Sequence, residues 1–117
     1  AINPTLAEGQ IEGAVANGIA YALTEQYIFS DKGNLINKNF KNYKIPVAAD
    51  MPEMKTKVIE SHEKSGPFGA KSVGEIGING PMPAIANAIY DAIGVRIFDA
   101  PFTPEKIYRA LESAKKR

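Results

Sequence analysis

From about Leu6 to Glu25 the apolar residues Ile11, Val15, Ile19 and Leu23 recur at every fourth position, which puts them on one stripe of a helix. Gly9, Gly13, Ala16 and Ala20 form a second stripe of small residues, where a neighbouring backbone can approach closely. Glycine inside a helix costs about 1 kcal/mol relative to alanine, so Gly13 and Gly18 require a packing reason. Asn3-Pro4-Thr5 reads as the preceding turn, with Thr5 as N-cap. The pattern then becomes strand-like. Gln26 to Ser30 is aromatic and β-branched, residues 31–34 form a turn, and Leu35-Ile36 open the return arm of a hairpin. Residues 37–42 are polar and basic, a solvated loop, and Tyr43 to Pro46 is extended because the residue before proline avoids the α region. After an ordered loop at 48–52, Glu53 to Glu60 sets Met54, Thr56 and Val58 against Lys55 and Lys57, as in a half-buried strand. Ala84 to Ile93 predicts a helix with Ile85, Ile89 and Ile93 on one face, closed by Gly94. Val95 to Phe98 is a short strand. Thr103 and Pro104 cap and start a last helix with Ile107, Ala110, Leu111 and Ala114 inward and Lys115, Lys116 and Arg117 at its C-terminal end. Helix, hairpin, strand, helix, strand, helix predicts an α+β fold of mixed helices and short strands.

Composition narrows the function classes. The 117 residues are the length of one domain, and 44% hydrophobic with 23% charged residues is a globular balance. A net charge of +1 gives no basis for nucleic-acid or membrane-surface binding. No apolar run has the length of a membrane span. With no cysteine, this chain carries neither thiolate metal site nor iron–sulfur cluster. A reducing cytoplasm agrees with that composition. His62 is the single histidine, without partners for a metal site, and reads as an exposed loop residue.

The chemistry concentrates between Gly66 and Pro83. Gly66, Gly69, Gly74, Gly77 and Gly80 lie there with three prolines, and Glu75 follows Gly74 and precedes Ile76. A loop of this kind brings backbone N–H groups close to a ligand and holds one acid in a partly dry place, although a solvated surface loop has the same composition. It is no P-loop, because Ala70 separates Gly69 from Lys71, and the glycine spacing is not a dinucleotide fingerprint.

Gly69-Ala70-Lys71-Ser72-Val73-Gly74-Glu75 resembles the Gly-Ala-Lys-x-Val-Gly-Glu segment of the molybdenum hydroxylases, the xanthine dehydrogenase, aldehyde oxidoreductase and carbon monoxide dehydrogenase group. Gly9-Gln10-Ile11-Glu12-Gly13, Asn42-Tyr43-Lys44-Ile45-Pro46 and the stretch from Pro101 to Ile107 resemble three further motifs of that family, in the family's order. The resemblance implies that residues 1–117 are a single domain or fragment, the C-terminal part of a molybdopterin-binding domain. It implies oxidation of a heterocycle, aldehyde or related small molecule with oxygen derived from water, Glu75 being the general base. Gln10, Lys71, Ser72, Val73 and Gly74 become cofactor-binding residues, the last four mainly through backbone N–H groups, with no metal ligand on this chain. The implied cofactor is molybdenum-molybdopterin, with the cytosine dinucleotide form as one option. Iron–sulfur clusters and FAD are expected on other chains or domains, and the partners are the remainder of the subunit and electron-transfer subunits. Ile76-Gly77-Ile78 departs from the Pro-Pro that follows this Glu in xanthine dehydrogenases, which points to the bacterial multi-subunit enzymes. The alternative is a non-catalytic, partner-binding chain, and its exposed apolar stripes predict self-association when isolated.

Overall fold

Proline positions set where the helices begin. In the computed structural model, which describes residues 1–116, helix α1 spans Pro4–Leu23, α2 Pro81–Ile93 and α3 Pro104–Lys115. Each starts with proline in its first turn, where the missing N–H costs no intrahelical bond. The cap of α1 is Asn3 and not Thr5: the Asn3 side chain accepts from the Leu6 N–H at 3.0 Å. The second helix begins at Pro81, three residues before the expected Ala84, and Gly94 closes it with φ 68° while donating to the Tyr90 carbonyl at 2.7 Å. Thr103 caps α3 as expected, accepting from the Lys106 N–H at 3.3 Å. Arg117 lies outside the described residues.

The small residues of α1 carry the main packing, but along another stripe than the periodicity suggested. A Cβ at Gly18 would stand 2.7 Å from Pro81 Cγ and 2.8 Å from the Ile78 carbonyl oxygen. One turn earlier, a Cβ at Gly77 would meet the Ala14 Cβ at 2.8 Å. So α1, the one-turn 3₁₀ helix Ile76–Asn79 and the start of α2 close on one another along Ala14 and Gly18. Gly9 and Gly13 face open space. Ala14, Ala20, Ala22 and Phe102 form the buried core, and the Phe102 N–H donates to the Ala22 carbonyl at 2.6 Å, joining the entry to α3 to the end of α1. Ile85, Ile89 and Ile93 of α2 and Ile107, Ala110 and Leu111 of α3 are half-buried, whereas Ala114 is exposed.

The expected strands make no ladder among the described residues. The single pairing there is an isolated antiparallel bridge between Phe29 and Leu35, at the predicted hairpin. The α+β expectation is therefore not confirmed: among the described residues the chain is three helices, with short 3₁₀ turns, joined by segments without a strand ladder. The physical reason is the absence of partner strands. Met54, Thr56 and Val58 are half-buried and their neighbours exposed, as the alternation required, yet among the described residues that arm has no adjacent strand to accept its hydrogen bonds. Asn37 is a second correction. It is buried rather than solvated, because its amide donates to the Gln26 carbonyl at 2.6 Å and its oxygen accepts from the Ile28 N–H at 2.9 Å. One side chain there does the work of a missing strand neighbour.

Candidate functional site

The glycine-rich loop is anchored on both sides of its centre. On the upstream side, the Glu63 N–H donates to the Gly69 carbonyl at 2.9 Å and the Gly66 N–H to the Glu63 carbonyl at 3.1 Å. The Glu63 carboxylate accepts from the Ser65 N–H and hydroxyl, which holds its pKa below the usual carboxylate range. His62, exposed as expected, lies against Gly69, whose φ of 75° and lack of a Cβ leave room for the imidazole. On the downstream side Gly77 and Ile78 seat on α1 as described.

Between these anchors runs the stretch from Lys71 to Glu75. Lys71, Ser72, Gly74 and Glu75 are exposed, Val73 is half-buried, and Gly74 takes the left-handed φ of 51° that glycine permits. Its backbone N–H groups are the informative feature. Ala70 donates to the Pro67 carbonyl and Ile76 to the Val73 carbonyl, but no N–H from Lys71 through Glu75 has an acceptor among the described residues. Five consecutive donors are therefore without a partner among the described residues, a pattern that suits an oxygen-rich partner.

Gln10, sixty-four positions away in sequence, joins this stretch. Its amide Nε2 donates to the Gly74 carbonyl at 2.8 Å. The structure thus brings together Gln10, Gly74 and the adjoining Glu75, while Lys71, Ser72 and Val73 line an open cleft of about 960 Å³ next to them. The start of α1 (Ala7, Ile11) and the arm around Val58 form its other walls. The Glu75 carboxylate has no hydrogen-bond or ion-pair partner among the described residues, so it is not the enclosed acid that the loop composition suggested. Among the described residues no three His, Cys, Asp or Glu side chains gather where they could hold a metal ion. No helix there is long and apolar enough to cross a membrane.

One residue of the cleft escaped the sequence reading. Phe68 has a φ of 55° and a side chain 96% exposed, rare for a bulky residue and held by the surrounding Gly66–Gly69 turn. Its position between Gly66 and Gly69 was the only available signal.

Comparison with known proteins shows what this chain is similar to. Residues 1–52 match the family model of the molybdopterin cofactor-binding domain. The chain is 44% identical over 112 residues to the "Probable hypoxanthine oxidase XdhD" of Escherichia coli (strain K12), covering 95% of this chain and 12% of that protein. It is 38% identical over 114 residues to the xanthine dehydrogenase molybdenum-binding subunit of Escherichia coli O157:H7, covering 97% of this chain and 15% of that subunit. Among solved structures it superposes on quinoline 2-oxidoreductase from Pseudomonas putida 86 with a TM-score of 0.88 at 32% identity, over 95% of this chain and 14% of that one. The chain thus spans about one seventh or less of the length of these relatives.

Proposed function

We propose that this chain, which belongs with the molybdopterin-binding subunits of the xanthine dehydrogenase group, forms one wall of a molybdopterin pocket and supplies the general base of an oxidoreductase. The observation that carries the reading is the run of five N–H donors, from Lys71 to Glu75, that have no acceptor among the described residues. These residues fit an oxygen-rich cofactor. Lys71, Ser72, Val73 and Gly74 hold it through backbone N–H groups, and Gln10 backs the same loop. When bound, the molybdenum-molybdopterin group supplies two-electron redox chemistry.

Glu75 takes up, on a carboxylate oxygen, the proton released as water-derived oxygen adds to a substrate carbon. A positioned base of this kind contributes about 10²–10⁴-fold. Because Glu75 is exposed on this chain, the surroundings that exclude bulk water come from elsewhere in the subunit. The substrate is a heterocycle, an aldehyde or a related small molecule; two of the relatives are named for hypoxanthine and quinoline, which favours the heterocycle. Electron-transfer subunits carrying iron–sulfur clusters and FAD, in a cytoplasmic assembly, complete the pathway for electrons.

A second reading, a non-catalytic chain that works only by binding a partner, draws on the exposed apolar side chains such as Ile59 and Phe98. Glu75→Gln in the complete enzyme decides between them. It keeps size and most hydrogen bonding but removes the base. Molybdenum content should stay normal while kcat falls by about 10²-fold or more. Normal loading with turnover within about twofold of wild type would refute the general-base role.

A further inference from the structure

We propose that Gln10 is a positioning residue for Glu75, acting through the Gly74 carbonyl; this rests on the reading of Glu75 as general base. That carbonyl belongs to the planar peptide that links residues 74 and 75. Fixing its direction fixes the plane from which the Glu75 backbone departs. Gly74 sits at φ 51°, in the left-handed region that glycine permits, and Glu75 follows at φ −107° and ψ 15°.

Downstream of Glu75 the chain is held by packing, Gly77 on Ala14 and Ile78 against Gly18. Upstream, the N–H groups of residues 71–75 have no acceptor among the described residues. The turn from Val73 to Ile76 is closed by a long bond of 3.5 Å, and the Glu75 carbonyl accepts from the Ile78 N–H at 3.0 Å; the 2.8 Å bond from Gln10 Nε2 is the contact made to the Gly74 carbonyl itself, on the peptide entering Glu75. Asparagine, one methylene shorter, loses the reach, and glutamate keeps the shape but donates only when protonated.

The test uses the complete molybdenum-loaded enzyme that contains this chain, with Gln10→Leu and Gln10→Glu. Both should load molybdenum normally. With Gln10→Leu, kcat should fall by about 10-fold or more at little change in KM, because a small misplacement of a reacting group is costly. Amides of residues 71–76 should exchange with solvent about 10-fold faster, while those of 14–22 in α1 keep their protection. With Gln10→Glu, loop protection, corrected for intrinsic exchange, and kcat relative to wild type should recover as pH falls and the new carboxyl takes up its proton. A helix-surface residue without this role predicts no such recovery. Loop exchange and kcat within about twofold of wild type in both variants overturn the proposal, as does loss of molybdenum on Gln10→Leu, which would make Gln10 a direct cofactor contact. The two readings fail differently. If Glu75→Gln turns over normally while the Gln10 variants still loosen the loop, the base assignment falls, and with it the catalytic part of this inference. If Glu75→Gln is inactive and the Gln10 variants behave as wild type, only the positioning role falls.

Discussion

Tyr43 donates its hydroxyl hydrogen to Glu25 Oε2 at 2.8 Å, and this bond, with partial burial and the nearby carboxylate charge, raises the phenol pKa from 10.0 to about 12. The fold thereby favours the neutral phenol. Its contribution to stability is complete below the unfolded value near 10.0 and is lost as pH rises through about 12. Ultraviolet titration of the five tyrosines should show one ionising last, and Glu25→Gln should bring that one back toward the ordinary range. An unchanged titration curve would show that the bond to Glu25 is not the cause. The motif around Tyr43 was readable in the sequence, but the partner on the far side of the hairpin was not. At the candidate site the same division holds. Glu75 stood out in its glycine context, and Lys71 to Gly74 came in through the resemblance of residues 69–75 to a family motif. The bond from Gln10 to Gly74 could not, because nothing in the spacing of two distant residues says which way an amide points.

The helices were legible because a repeat of apolar residues near every fourth position and the Pro and Thr caps are local signals. Which small residues of α1 mattered was not a local property. Gly13 and Gly18 look alike in sequence, yet only Gly18 is met by Pro81 and the Ile78 carbonyl. In the 117-residue chain, Gly13→Ala should raise stability by about 0.5–1 kcal/mol through helix propensity. Gly18→Ala should lower it by about 1–3 kcal/mol, because its Cβ must displace backbone as well as the proline ring. Urea denaturation of both variants gives the comparison, and equal midpoints would show that the close approach of α1 to residues 78–81 is not maintained in solution. The strands failed for a related reason. Alternation predicts a face, and Met54, Thr56 and Val58 do show one, but a strand exists only when another chain segment lies alongside.

At the scale of the whole molecule the chain is drawn out. Its radius of gyration is 18.3 Å, where a compact domain of this length has about 13 Å. Among the described residues four hydrophobic side chains form the buried core, while Ile59 is 84% and Phe98 92% exposed. Surfaces of this kind bind other apolar surfaces. The isolated chain is therefore expected to bind a hydrophobic dye and to associate at micromolar concentration. A monomer by light scattering with no dye binding would show that the apolar surface is masked some other way. Coexpression with the remainder of the subunit should abolish the dye signal.

The sequence by itself determined the helical segments, the turn residues and the family motifs, since periodicity, caps and glycine or proline positions act over a few residues. It also singled out the residues that the proposed function relies on, Glu75 above all. Only the tertiary structure decided that α1 meets the loop along Gln10, Ala14 and Gly18, that Asn37 is buried between Gln26 and Ile28, and that Glu75 stands exposed. Those outcomes depend on which distant segments come within a few ångströms of each other. They also depend on which partners are absent: an extended arm with apolar alternation stays an arm until a neighbouring strand accepts its hydrogen bonds.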